Sequence, residues 1–207
     1  MKPILTAKVG TNADLFPDIL RLYVPEGSRV LDMTYGRGVF WKNVDVSKYD
    51  VIRNDISEDR GEHHEDFRKM SWPDASFDAV ILDPPYIYHS GAVHKDGGMH
   101  TDYRNDERAS GGIYGVPAVD EMFRDGLEEA YRLLCVDGVC IVKCMDQVVG
   151  AKQVWQHITL MGNALSLGYV IEDLLVMVRN GPVIMRHPHQ IHARKNHSYF
   201  LVFRKQK

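Results

Sequence analysis

Phe77-Asp78-Ala79-Val80-Ile81-Leu82-Asp83-Pro84-Pro85-Tyr86 is the stretch that decides the fold. Its first six residues form a short apolar run with the length and composition of a buried strand. In an open α/β sheet, a carboxylate at the carboxyl end of such a strand stands where ligands bind. Two consecutive prolines then fix φ, supply no N–H and force the preceding residues into an extended conformation. The result is a stiff turn with carbonyls left to accept, followed directly by the aromatic ring of Tyr86. Carboxylate, carbonyl and ring face together suit a flat heterocycle carrying an exocyclic amine.

Working upstream, Ser28 to Met33 reads as a strand ending near Asp32, and Val51 to Asp55 as another ending on an acid. Between them Thr34-Tyr35-Gly36-Arg37-Gly38 is a glycine-rich turn, and Asn12 to Tyr23 is an amphipathic helix with Asn12 as its cap. Only a short connection separates Asp55 from a third small strand at Asp66-Phe67, so the helix expected there is short or missing. Downstream, residues 119–134 and 152–167 read as helices, and 139–145, 169–178 and 198–204 as strands. Alternating strands and helices predict a single α/β domain over 1–207 with a doubly wound sheet. Residues 87–116 hold six glycines and no apolar period, which predicts a mobile lid or insert loop.

Here the sequence resembles a known family. Asp83-Pro84-Pro85-Tyr86 is similar to the catalytic signature of S-adenosylmethionine (AdoMet)-dependent methyltransferases acting on adenine N6 or cytosine N4 in DNA. The glycine turn, Asp55, Asp66 and the proline motif follow in that family's order. Leu133 to Lys143 resembles its helix–turn–strand unit, and Arg194 to Lys205 its closing strand. The resemblance implies a Rossmann-like class I methyltransferase fold, a seven-stranded mostly parallel sheet with the last strand antiparallel. It also implies AdoMet as the cofactor, held by Thr11, Asn12, Asp32, Thr34, Tyr35, Gly36, Gly38, Asp55, Ile56, Asp66 and Phe67. Within that set Asp32 pairs with the ammonium group and Asp55 takes the ribose hydroxyls. Asp66 accepts from the adenine amine, with Ile56 and Phe67 flanking the ring. The pattern is not the dinucleotide fingerprint, because the third glycine is absent and Trp41 stands where close packing needs a small residue.

The catalytic residues implied are Asp83, Pro84, Pro85 and Tyr86. Asp83 and the Pro84 carbonyl would accept the two N–H groups of the target amine, and Tyr86 would stack on the extruded base. Asp at the first motif position favours adenine N6 over cytosine N4. An RNA base methyltransferase, at adenine N6 or guanine N2, is the main alternative, and a non-catalytic partner subunit is a third.

Charge points to a polyanionic partner. The net charge is -3, yet seven of the 25 Lys and Arg fall within residues 179–207 and none of the 28 Asp and Glu does. The basic loop 179–197 is the candidate nucleic-acid contact, with Lys143, Arg194, Lys195, Asn196 and His197 as its residues. The histidines of 185–192 allow a metal, a phosphate contact or a plain surface loop; no acid or cysteine accompanies them, and no metal is expected. Cys135, Cys140 and Cys144 read as small buried hydrophobes in a reducing compartment. No apolar stretch reaches the length of a membrane span, so a cytoplasmic protein without membrane contact is expected. The small room for target recognition leaves a homodimer open.

Overall fold

The computed structural model describes residues 3–86, 116–181 and 190–207. The lid expected at 87–116 lies almost wholly outside them, as do 182–189 of the basic loop. Nine strands and three helices are present among the described residues. They run β1 (Ala7–Gly10), α1 (Asn12–Tyr23), β2 (Arg29–Asp32), β3 (Asp50–Arg53), β4 (Phe77–Leu82), α2 (Val116–Leu133), β5 (Leu134–Cys144), β6 (Gln147–Val149), β7 (Lys152–Val154), α3 (Gln156–Leu167), β8 (Tyr169–Arg179) and β9 (His197–Lys205).

Seven of the strands make one sheet in the order β1-β8-β9-β5-β4-β2-β3. Every neighbouring pair is parallel except the two involving β9, which runs antiparallel to both β5 and β8. The seven-stranded, mostly parallel sheet with an antiparallel last strand is therefore as expected, but its membership differs. Residues 66–67 form no strand; backbone pairing past β3 stops at an isolated bridge between Asn54 and His63. The seventh place goes to β1, added at the opposite edge. With two residues exposed, two half-buried and none in the core, it carries little apolar signal, and it is held by pairing with Val176 to Arg179 instead.

Both faces of the sheet are covered, because β4 and β5 are continuous apolar runs that bury alternate residues on opposite sides. Leu31, Val80, Leu82, Cys140 and Val142 pack with Phe123, Leu127 and Leu160 of α2 and α3. Val30, Ala79, Ile81, Val139 and Ile141 face Leu15, Phe16 and Ile19 of α1, with Phe40 and Trp41 beside them. Between β2 and β3 the chain makes only 3-10 turns at Val39–Asn43 and Val46–Lys48. The helix expected over 152–167 begins later, at Gln156, because 147–154 fold into the β6–β7 hairpin.

The first helix starts as expected, but its cap is Thr11 rather than Asn12. The Thr11 N–H and hydroxyl donate to Asp14 Oδ2 at 2.8 and 2.7 Å. Cys140 and Cys144 are fully buried and Cys135 is half-buried. No helix among the described residues is long and apolar enough to cross a membrane.

Candidate active site

The parallel strands deliver their acids to one rim. Asp32 ends β2, Asp55 lies just beyond β3, and Asp83 follows β4. Asp32 is buried, and its oxygens accept from Trp41 Nε1 at 2.7 Å and from the Thr34 N–H at 3.2 Å. Burial pushes its carboxyl up to about 7 against these two donors, and the charges of Asp83 and Asp55 push the same way. The three carboxylates thus share one field, and a cation placed among them relieves their mutual repulsion.

The glycine turn is pinned from three sides. Tyr35 N–H donates to the Asn54 carbonyl at 2.8 Å, Gly36 N–H to Asp55 Oδ2 at 2.8 Å, and Asp83 N–H to Thr34 Oγ1 at 2.7 Å. Gly38 has φ +64, and a Cβ there would sit 2.5 Å from Tyr35 Oη, so both the conformation and the space demand glycine. Thr34, Tyr35, Gly36 and Gly38 are thereby brought beside Asp32, Asp55 and Asp83. Asp55 also accepts from the Ser57 N–H at 2.9 Å, so each of its oxygens already holds one backbone amide.

Asn54 organises this wall, and sequence reading passed over it. It has no exposed surface; its Nδ2 donates to the carbonyls of Met33 (2.9 Å) and Glu65 (3.0 Å), and its Oδ1 accepts from the Glu65 N–H (2.9 Å). An asparagine in place of an apolar residue at the end of a strand was the available signal.

The expected adenine end of the cofactor site is arranged differently. Arg68 grips both Asp66 oxygens, with its Nη2 at 2.6 Å, and holds the carboxyl below its usual range. Asp66 therefore already has an internal partner, with its remaining lone pairs left for a further donor. Ile56 is exposed, whereas Phe67 is packed so closely on α2 that a Cβ on Gly126 would lie 2.8 Å from its ring. Thr11 and Asn12 stand at the start of α1, near the Val39–Asn43 turn, where Asn43 Nδ2 reaches Asp14 Oδ1 at 3.3 Å.

At the motif expected to be catalytic, Asp83 is half-buried and burial pushes its carboxyl up to about 6, opposed by the charge of Lys143. Pro84 is buried and Pro85 half-buried. The Tyr86 ring stacks on Phe123 with centroids 6.3 Å apart, and its carbonyl accepts from Gln147 Nε2 at 2.7 Å.

Lys143 corrects an expectation. Read as a contact to a nucleic-acid backbone, it is buried beside β9, with its Nζ 2.5 Å from Ser198 Oγ and 5.0 Å from the Phe200 ring centroid. Its alternation on β5 turns it inward, on the same face as Asp83, and burial lowers its pKa. Its charge therefore acts on Asp83 and not on an outer surface.

Of the other candidates for that contact, Arg194, Lys195 and His197 are half-buried and Asn196 is exposed. Lys195 Nζ sits 4.4 Å from the Trp155 ring centroid, and the Asn196 carbonyl accepts from the Arg179 N–H at 2.8 Å. His197 bonds the Tyr199 hydroxyl at 2.9 Å, and that hydroxyl donates to the buried Asp146 at 3.1 Å. Among the described residues no three His, Cys, Asp or Glu converge as metal ligands.

Sheet order, strand direction and the acid-lined rim define the Rossmann-like methyltransferase fold. The solved structures it resembles include a SAM-dependent methyltransferase from Methanosarcina mazei. The two share 11% identity over 91% of this chain and 97% of that one, with a TM-score of 0.56. The 1,6-didemethyltoxoflavin-N1-methyltransferase of Burkholderia thailandensis gives 14% identity over 95% and 79%, TM-score 0.58. TrmN from Thermus thermophilus gives 15% over 92% of this chain and 48% of its own, TM-score 0.54. At these identities the likeness is one of fold. No family model matches the sequence, and no curated protein matches it.

Proposed function

We propose that this chain is an AdoMet-dependent methyltransferase that modifies the exocyclic N6 amine of adenine in DNA. The observation that carries the reading is the placement of Asp83-Pro84-Pro85-Tyr86 at the carboxyl end of β4, one strand from Asp32 and the glycine turn. The fit to the cofactor rests on the mutually repelling acids and on the tight turn at Gly36 and Gly38. Asp32 would hold the ammonium group, and the remaining lone pairs of Asp55 the ribose hydroxyls. When bound, AdoMet supplies a sulfonium methyl group and leaves as a neutral sulfide.

The protein's own task is orientation. The amine lone pair of adenine is delocalised into its ring, so the free base is a poor nucleophile. Acceptance of its two N–H bonds by the Asp83 carboxylate and the Pro84 carbonyl favours a pyramidal nitrogen with its lone pair directed into the cleft. Ionised Asp83 is the stronger acceptor, and the buried charge of Lys143 favours that form. The amine proton leaves to Asp83 or to water after transfer. Tyr86, held by Phe123 at its ring and by Gln147 at its carbonyl, would stack on the extruded base.

Incubation with tritiated AdoMet and duplex DNA, single-stranded DNA or tRNA, followed by nucleoside analysis, tests the reading. N6-methyladenine in DNA is expected. Label found as N4-methylcytosine, as N2-methylguanosine or only in RNA overturns it.

A further inference from the structure

The β6–β7 hairpin joins the catalytic tetrapeptide to the basic end of the chain. Gln147, its first residue, holds the Tyr86 carbonyl and pairs across the hairpin with Val154, next to Trp155. Val149 and Lys152 close a two-residue tip, Gly150-Ala151, in which both residues have positive φ, +55 and +61. That is the tight turn whose twist matches a hairpin. The Ala151 carbonyl accepts from His192 Nε2 at 2.8 Å, so the segment 190–196 is laid along the hairpin. Trp155 is 47% exposed, with Lys195 seated over its ring.

The charged side chains that these two segments contribute have one sign. Residues 147–158 and 190–207 contain no Asp or Glu and supply Lys152, Arg194, Lys195 and His192, while His157 and His197 turn to the buried Asp146, directly and through Tyr199. A second copy of the chain meeting this face would set lysine against lysine. A polyanion with flat, stackable groups meets both the charges and the indole.

We propose that the β6–β7 hairpin, Trp155 and Lys195 form the docking platform for the DNA strand that flanks the target base. Trp155 contacts a base or sugar face, and Lys152 and Lys195 contact phosphates. The proposal rests on the DNA reading above and names the surface that this reading lacks.

Trp155 supplies its own probe, because Trp41 is buried and Trp72 is half-buried. Titration of the full chain with a duplex oligonucleotide should quench tryptophan fluorescence, and W155F should lose that quench. In anisotropy measurements W155A should bind roughly tenfold more weakly. K152A and K195A should each lower the slope of log K against log salt by about one. Thermal melting followed by circular dichroism confirms that each variant is folded. Affinity of W155A within twofold of wild type, a quench that survives in W155F, or unchanged salt slopes overturns the platform. So does equal quenching by anionic phospholipid vesicles at matched phosphate. Trp155-dependent DNA binding without methyl transfer would remove the enzymatic reading and leave the platform standing. Methyl transfer to DNA with Trp155-independent binding would do the reverse.

Discussion

Replacing Trp41 by phenylalanine tests the carboxylate at the centre of the proposed cofactor site. The indole N–H donates to Asp32 at 2.7 Å, one of two donors holding a buried acid whose carboxyl stands at about 7. A hydrogen bond to a charged group contributes about 1.5–3 kcal/mol. At ~1.4 kcal/mol per tenfold change, its loss raises the Asp32 midpoint by about one to two pH units. The ionised fraction at pH 7 then falls from about one half to between roughly a tenth and a hundredth. Apparent AdoMet affinity, proportional to that fraction, weakens about 5- to 50-fold. At pH 8.5 the gap to wild type narrows to about fourfold or less, because the wild type is by then almost fully ionised and roughly a quarter or more of the variant is.

Isothermal titration with AdoMet from pH 6 to 8.5 reads this directly. Wild-type affinity should fall as pH drops through about 7, and D32N should bind weakly with no pH dependence in that window. The apo fold responds in the opposite sense. A carboxyl whose folded pKa lies above its unfolded value binds more protons when folded, so this group adds stability as pH falls from about 7 towards 4. Equal wild-type affinity at pH 6 and 8, or a W41F defect that stays constant across the range, would refute the reasoning.

Four further outcomes follow from the site. D83N should retain AdoMet binding and lose transfer by about a hundredfold or more; wild-type turnover in D83N would remove the carboxylate from the chemistry. In the wild type at saturating AdoMet, kcat/KM for DNA should decline as pH falls through about 6, where Asp83 protonates. K143M should move that decline to higher pH, since the opposing cation is gone; an unmoved limb would sink the coupling. N54A removes three hydrogen bonds at a site without solvent and should cost about 3 kcal/mol in urea denaturation, roughly one per bond. G38A forces a residue with a Cβ into a left-handed turn against Tyr35. It should cost about 1–2 kcal/mol in conformation alone, near 2–4 °C in Tm per kcal/mol, and weaken AdoMet binding. A Tm equal to wild type would show that the turn relaxes.

Much of this molecule is legible in one dimension where the physics is local. The apolar run 77–82, its terminal acid and two prolines fix a buried strand with a stiff end, because burial on both faces and the chemistry of proline leave few alternatives. The amphipathic period of 12–23 and the glycines at 36 and 38 are local in the same way, and all of these elements appear where expected. Tertiary structure decided what depends on distant partners. Only strand pairing shows that Ala7–Gly10 takes the seventh place in the sheet while 66–67 takes none. Only sheet alternation shows that Lys143 turns into the interior towards Asp83, whereas Lys195 stays outside on Trp155. Only the contact with Arg68 shows that Asp66 is already engaged, and only Asn54's three partners reveal it as the brace of the glycine turn. A side chain's charge and hydrogen-bonding capacity are written in the sequence. Which groups satisfy them depends on long-range packing, and that is settled only when the strands come together.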